Sequence, residues 1–120
     1  MDCIFCKIIA GEVPSYKLYE DNDILVFLDI NPVSPGHTLI IPKEHTLDIT
    51  TINNVTLVKI FDKARDIAKI LNNKMGAEGF TLIQNNGIVQ EVKHFHLHIV
   101  PKYTKKPKAN IEEIYKKMTN

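Results

Sequence analysis

The chain has 120 residues, of which 44% are hydrophobic and 24% are charged, values typical of a globular domain with a single core. Its 15 lysines and arginines nearly balance 14 aspartates and glutamates, so the net charge of +1 gives no support to binding of nucleic acid or of a membrane surface. No apolar run reaches the roughly 20 residues of a membrane span and no secretory leader is visible, so we expect a cytoplasmic protein.

The first predicted element is a short helix from Cys3 to Ala10, with apolar residues at helical spacing and Gly11 as its stop. Both cysteines of the chain, Cys3 and Cys6, lie in this stretch. They are too close together for a useful structural disulfide, and in a reducing compartment their spacing favours a metal or redox pair. A pair of buried thiols is the alternative.

Three strands are predicted next, and the first two form a hairpin. The second strand is almost entirely apolar, which is typical of a central strand, whereas the loop before the third contains two prolines and a glycine. His37 lies where that loop enters the third strand, and His45 lies just after it. The strands are residues 16–19, 24–29 and 37–42.

A long helix is predicted from Asn53 or Asn54, which are good capping residues, to Met75, and Gly76 ends it. Its apolar stripe would cover one face of the sheet, with core positions for Phe61 and Leu71. The stripe consists of Leu57, Ile60, Phe61, Ala64, Ile67, Ala68, Leu71 and Met75.

Residues 94–100 alternate three histidines with three large apolar residues, and this period of two predicts a strand with one buried face, closed by Pro101. Residues two apart on a strand are roughly 6.5–7 Å apart, so the rings would form a row, which argues against one metal held by all three. The central ring, His96, suits a nucleophile or base, because a neutral imidazole is nucleophilic near neutral pH. A solvated polar face, or a metal site with a third ligand from elsewhere, are the alternatives. The histidines His94, His96 and His98 would share one face, and Phe95, Leu97 and Ile99 the other.

A fourth strand over residues 80–84 precedes the histidine segment, from which it is separated by the turn Asn85-Asn86-Gly87 and a short connection. A basic tail over residues 102–108 leads to a short last helix over residues 110–118. Antiparallel strands with one long helix and short peripheral helices make an α+β fold, which we expect to be a single domain over residues 1–120.

Five blocks of the sequence, in register over about the first hundred residues, together resemble the histidine triad (HIT) superfamily of nucleotidyl hydrolases and transferases. The resemblance is to its Hint-like branch with the bacterial-type Cys-x-x-Cys. It implies a five-stranded antiparallel sheet with one long helix, and usually a homodimer. The blocks are Cys3-Ile4-Phe5-Cys6-Lys7-Ile8-Ile9, Leu28-Asp29-Ile30-Asn31-Pro32, Pro35-Gly36-His37-Thr38-Leu39-Ile40-Ile41-Pro42-Lys43, Asn85-Asn86-Gly87 and residues 94–100.

The same resemblance implies a hydrolase of purine nucleotide conjugates, of the nucleoside phosphoramidate type, that needs no metal for catalysis. His96 would attack the α-phosphorus and form a nucleotidyl-histidine that water then cleaves. His98 would contact the phosphate or the leaving group, and His94 and His37 would orient the row. The nucleotide would be held by Phe5, Ile8 and Phe27 as walls around the base, by Asp29 and the Ile30 backbone at the ribose, and by Asn85 and Gln90.

The resemblance also points to a zinc site. Cys3 and Cys6 have the spacing of a metal knuckle, and with His45 and His94 they would form a closed set of four ligands, which indicates a structural rather than a catalytic ion.

One segment departs from the family pattern. The connection over residues 88–93 is two residues shorter and keeps Gln90 but places Glu91 where a hydroxyl would donate to the phosphate. A carboxylate repels a phosphate, so either Glu91 points away or the leaving-group preference changes. Three alternatives stay open: a dinucleoside polyphosphate hydrolase, a nucleotide-binding scaffold protein and a metal-dependent hydrolase.

Overall fold

The computed structural model describes residues 2–120. The strands are β1 (Lys17–Glu20), β2 (Ile24–Leu28), β3 (Thr38–Pro42), β4 (Gly79–Ile83) and β5 (Leu97–Lys102), and the helices are α1 (Ile4–Ile9), α2 (Asn54–Met75) and α3 (Ile111–Thr119). All neighbouring strands are antiparallel, in the order β1-β2-β3-β5-β4. This architecture confirms the α+β fold predicted from the sequence.

Strand β2 is buried on both faces, as its continuous apolar run predicts. On one face, Ile24, Val26 and Leu28 join the larger hydrophobic core, which α2 and α3 cover. On the other face, Leu25 and Phe27 pack in a smaller cluster with α1. The sheet therefore lies between the long helix and the N-terminal helix.

Helix α2 begins and ends where the sequence predicts. The Asn53 side chain accepts a hydrogen bond of 2.8 Å from the backbone N–H of Thr56, and Gly76 ends the helix in the left-handed conformation. The prediction of a core position for Phe61 is wrong, because this side chain is 43% exposed. One residue along a helix turns the side chain by about 100°, so Ile60 takes the inward direction instead. The buried positions of α2 are Ile60, Ala64, Ile67, Leu71 and Met75.

The histidine strand is shorter at its start and longer at its end than the alternation predicts. His94 lies in a bend and β5 begins at Leu97, since the N–H of Phe95 donates to the carbonyl of Thr46 and not to a neighbouring strand. Pro101 does not close the strand: it pairs with Phe80 of β4, beyond the last residue pair of β5 with β3. The alternation itself holds, because Phe95, Leu97 and Ile99 are buried in the larger core.

The C-terminal helix α3 is fixed at its start by a capping box. The Asn110 side chain accepts from the N–H of Glu113, and the Glu113 carboxylate accepts from the N–H of Asn110. Its apolar residues Ile114 and Met118 pack into the larger core. Within residues 2–120, every helix is too short or too polar to cross a bilayer. The cytoplasmic location stays a prediction.

Candidate active site

Two cavities meet at His96, which directly precedes β5, and at His98 within it. The main cavity, of about 250 Å³, lies between α1 and the end of β2, and it is lined by five of the residues predicted for the nucleotide. The side cavity, of about 140 Å³, is lined by Val33, His37, Ile83, Asn85, Glu91 and Val100. His96 and His98 line both cavities. The five predicted residues in the main cavity are Phe5, Ile8, Phe27, Asp29 and Ile30.

The His96 ring is held in one orientation by a hydrogen bond and two neighbouring rings. Its Nδ1–H donates to the carbonyl oxygen of His94 over 2.7 Å. The ring centroid lies 5.1 Å from that of Phe5 and 4.8 Å from that of His98, both in edge-to-face geometry. Because a carbonyl can only accept, the neutral ring carries its proton on Nδ1 and its lone pair on Nε2. This is the tautomer that a nucleophile needs.

A chain of hydrogen bonds also fixes the tautomers of His37 and His98. The backbone N–H of Val33 donates to Nδ1 of His37 over 3.0 Å, so the proton of neutral His37 is on Nε2. That nitrogen lies 2.9 Å from Nδ1 of His98, which must therefore accept. The proton of neutral His98 is consequently on Nε2. Nε2 of neutral His96 thus carries a lone pair, whereas Nε2 of neutral His98 carries a proton.

Burial keeps His37 and His98 in their neutral forms. Burial, together with smaller effects of the neighbouring rings of His96 and His37, lowers the pKa of His98 to about 4. Burial also lowers the pKa of His37, although the Asp29 carboxylate, 3.6 Å from its Nε2, acts in the opposite direction. Without a ligand, the site is therefore a neutral hydrogen-bonded relay at neutral pH.

Asp29 is tied to the loop that follows β2. One carboxylate oxygen accepts from the N–H of Asn31 over 2.8 Å, and its backbone N–H donates to the carbonyl of His37 over 2.9 Å. These two bonds fix the carboxylate at the rim of the main cavity, next to the side chain of Ile30, which is exposed.

His94 lies away from the two cavities, in a cluster with the other predicted metal ligands. Its Nε2–H donates to the carbonyl of Pro42 over 2.8 Å, which leaves the lone pair of its Nδ1 free. That Nδ1 is 3.4 Å from Sγ of Cys3, 3.7 Å from Sγ of Cys6 and 3.2 Å from Nδ1 of His45. The four ligand atoms all lie within 4.8 Å of one another.

The chemistry of this donor set fits a zinc ion. Two thiols and two imidazoles are a tetrahedral zinc set, and the bond from His94 to a backbone carbonyl is the outer-shell contact that orients a metal-bound histidine. Burial and the adjacent Cys3 raise the pKa of the Cys6 thiol, so metal binding would have to displace its proton. Asp29, His37 and His98 also bring possible ligand atoms together, but the hydrogen bond between the two rings occupies them.

The predicted site residue Gln90 lies outside both cavities, and the contact between Val33 and His37 was not predicted. Gln90 is buried, its amide donates to the carbonyl of Leu47, and it lines neither cavity. The bond from Val33 to His37 has no signal in the sequence, because the donor is a backbone group whose direction depends on the fold of the proline loop. Asn85, which the resemblance assigns to nucleotide binding, lines the side cavity.

Comparisons with known proteins are consistent with this geometry. The family model described as the HIT domain matches residues 10–105. An uncharacterised HIT-like protein of Methanocaldococcus jannaschii is 44% identical over 103 residues, which cover 84% of this chain and 79% of that protein. An adenosine 5'-monophosphoramidase of Candida albicans is 43% identical over 106 residues, covering 83% of this chain and 70% of the relative. The crystal structure of a zinc-bound histidine triad family protein of Mycobacterium smegmatis superposes with a TM-score of 0.91 at 34% identity, covering 99% of this chain and 91% of that one.

Proposed function

The chain belongs to the HIT domain family of nucleotide-binding hydrolases, and from this premise we propose that it hydrolyses purine nucleoside phosphoramidates through a nucleotidyl-histidine intermediate on His96. The observation that carries the proposal is the tautomer of His96: its Nδ1–H is held by the His94 carbonyl, so its Nε2 lone pair is free at the junction of the two cavities. A relative with 43% identity is named adenosine 5'-monophosphoramidase, which supports the choice of substrate.

The apolar walls of the main cavity suit a purine base, and Asp29 at its rim suits the ribose hydroxyls. A carboxylate that accepts both hydroxyls discriminates ribose from a deoxy sugar, because losing a hydroxyl leaves a buried acceptor without its partner. A nucleoside bound in this way would bring its α-phosphate to His96 and His98, since these residues line the main cavity together with Asp29 and line the side cavity as well.

The reaction would proceed in two displacements. In the first, Nε2 of His96 bonds to phosphorus while the bond from phosphorus to the amine nitrogen breaks, and the nitrogen keeps the electron pair and takes a proton from His98. In the second, a water oxygen bonds to phosphorus, the bond to His96 breaks, and the water proton passes to His98. Imidazole suits both steps because it is a good nucleophile and a good leaving group.

His98 can serve as the acid because the substrate changes its charge. The negative charge of a bound phosphate favours the imidazolium form, so proton uptake accompanies binding. The imidazolium of His98 can then donate its Nε2 proton to the departing amine nitrogen.

The test is intact-mass analysis after rapid mixing with an adenosine 5'-phosphoramidate. We expect a nucleotidyl adduct on the protein that His96→Ala lacks, and steady turnover that persists in the presence of a chelator. His98→Ala should still form the adduct, more slowly. An adduct that survives in His96→Ala would contradict the proposal, turnover lost on chelation from folded protein would favour a metal-dependent hydrolase, and tight nucleotide binding without turnover would favour a scaffold protein.

A structural zinc ion, held by Cys3, Cys6, His45 and His94, is the second part of the proposal. When bound, it would tie α1 to the bend before β5 and thereby hold the His94 carbonyl that orients His96. Metal analysis of protein purified without a metal-affinity tag should give about one zinc per chain. Cys3→Ser should lose the metal and stability while it keeps the ability to form the adduct; a low zinc content that is the same in both proteins would contradict the site.

A homodimer is the third part. Strand β4 is a free edge of the sheet, and Phe80, Leu82 and Ile83 on it are exposed. An exposed apolar patch is formed by the loop that follows β4 and the loop that precedes α2. These two loops are held together by hydrogen bonds from the N–H of Ile49 to the Asn86 side chain and from the Gln90 amide to the Leu47 carbonyl. The patch consists of Leu47, Ile49, Ile88 and Val89.

Sedimentation equilibrium tests the dimer with a matched pair of variants. Leu82, which is 47% exposed on β4, and Tyr19, which is 37% exposed on β1, lie on the two opposite edges of the sheet. Leu82→Glu should give monomers, whereas Tyr19→Glu should leave the dimer intact. A wild-type monomer at micromolar concentration would exclude the proposal.

A further inference from the structure

We propose that Ser34 and Tyr103 are positioning residues for the hydrolysis, although neither lines the main or the side cavity. They hold the proline loop, residues 31–36, in the place where its backbone keeps the pair of rings His37 and His98 uncharged until a phosphate binds. The inference rests on the proposed function for the phosphate alone, because the effect on the two rings is a property of the ligand-free protein.

The neutral pair has two protons and three places for them. Nε2 of His37 and Nδ1 of His98 are 2.9 Å apart, so a single proton lies between them. The second proton lies on one of the two outer nitrogens, Nε2 of His98 or Nδ1 of His37. The N–H of Val33 points at Nδ1 of His37 over 3.0 Å and makes it an acceptor, so the proton is on His98. The loop backbone thereby selects the tautomer of both rings.

The same N–H opposes the charged form of the pair. A third proton would occupy the remaining outer nitrogen, Nδ1 of His37, where it would face the N–H of Val33 donor to donor. Protonation of the pair therefore requires the loop to withdraw this N–H. A bound phosphate favours the imidazolium form and can drive that displacement, so proton uptake is coupled to the arrival of the substrate.

A single β-turn connects the N–H of Val33 with the ring that it contacts. The N–H of His37 donates to the carbonyl of Ser34 over 3.0 Å, which closes the turn. Gly36, at the third position of the turn, has a φ of +95°, as a type II turn requires. Whatever fixes this turn therefore fixes the distance between the Val33 donor and the His37 acceptor.

Both anchors of the turn lie at the end of β5, where the strand has no partner on its β3 side. The last residue of β5 that pairs with β3 is Ile99, and Pro101 pairs with β4 alone. The buried Ser34 hydroxyl donates to the carbonyl of Pro101 over 2.5 Å. The Tyr103 hydroxyl donates to the carbonyl of Pro35 over 2.6 Å. The two hydroxyls thus tie the first two residues of the turn to the sheet.

Loss of either hydroxyl leaves the charges around the pair unchanged. The titratable and charged groups that face the pair are Asp29, Lys102, His96 and Glu91. Asp29, 3.6 Å from Nε2 of His37, favours the charged form of that ring, and Lys102 opposes it. All four groups stay in place when a hydroxyl is removed. A change in the protonation of the pair would therefore report on the position of the loop.

Long-range proton–nitrogen correlation NMR of the ligand-free protein tests the proposal, because it shows which ring nitrogen carries a proton. At pH 7 the wild type should have the proton of His98 on Nε2. Tyr103→Phe and Ser34→Ala should each populate the other tautomer and raise the pKa of His98 by about 1. This is the size expected when one ordinary hydrogen bond, that of Val33, is lost. Tyr115→Phe, which removes a hydroxyl from a half-buried ring of α3, should change neither quantity.

Turnover gives an independent readout of the same effect. The pH dependence of kcat/KM reports the pKa values of the free enzyme. With adenosine 5'-phosphoramidate, the pH at which kcat/KM rises on acidification should be higher by about 1 in Tyr103→Phe and Ser34→Ala than in the wild type. Ionisation of the substrate is the same for every variant, so the difference comes from the protein.

An unchanged tautomer and titration of His98 in Tyr103→Phe and Ser34→Ala would overturn the inference, even where both variants lose stability, because the two hydroxyls would then support the fold alone. An equal change in Tyr115→Phe would also overturn it. A raised pKa in protein without phosphoramidase turnover would remove the proposed function and keep the effect of the loop on the pair. Normal turnover with an unchanged titration would do the reverse.

Discussion

Acid should destabilise this protein through His98 in particular. Its pKa lies at about 4 in the folded chain, against an ordinary value of 6.5 that the unfolded chain recovers. The folded-state pKa is depressed, so the unfolded chain binds a proton first as the pH falls. The contribution of neutral His98 to the free energy of unfolding is fully present above pH 6.5 and falls between pH 6.5 and about 4. Below about pH 4 it does not change further. At about 1.4 kcal/mol per pKa unit, the loss between pH 7 and pH 4 is about 3 kcal/mol.

Urea unfolding at pH 7, 6, 5 and 4 measures this loss when the wild type is compared with His98→Asn. Protonation of carboxylates and release of any bound metal destabilise both proteins, so only the difference between their pH slopes reports on His98. We expect the wild type to lose about 3 kcal/mol more than the variant over this range. Equal pH slopes of the unfolding free energy for the wild type and for His98→Asn would refute the burial of a neutral His98. Saturating AMP should move the NMR titration of His98 to higher pH, because the phosphate favours the imidazolium.

Three further changes test the site and its support. Asp29→Asn should weaken binding of AMP by about tenfold or more and that of the 2',3'-dideoxy form much less, because only the ribose offers hydroxyls to the carboxylate; equal losses by calorimetry would remove the ribose contact. Gly36→Ala should cost about 2–3 kcal/mol in urea unfolding, because φ is +95° and a Cβ would lie 2.6 Å from Cδ2 of Leu71. Gly11→Ala, at φ +80° with no atom within 4 Å, should cost about 1 kcal/mol, and equal costs would contradict the packing argument. Asn53→Ala should cost about 1 kcal/mol by the same measurement, because it removes the cap on Thr56 N–H; an unchanged midpoint would show that the cap contributes nothing.

The elements that the sequence predicts well are those whose signal lies in neighbouring residues. The apolar run of β2, the alternation around His96 and the Asn53 and Gly76 boundaries of α2 all appear in the structure. A side-chain period of two or of 3.6 is a local property of the backbone, so it can be read from a few consecutive residues. The gathering of Cys3, Cys6, His45 and His94 was predicted by resemblance, and their ligand atoms do come together.

The sequence by itself thus determined the order of the elements and the shared face of His96 and His98, and the family resemblance supplied five of the residues that line the main cavity. Only the tertiary structure decided that Phe61 faces outward and that Gln90 is buried. It also decided the protonation pattern, since Val33 N–H and the His94 carbonyl select the nitrogen that carries each proton. These outcomes depend on groups that are distant along the chain or belong to the backbone, and neither composition nor periodicity contains information about where such groups point.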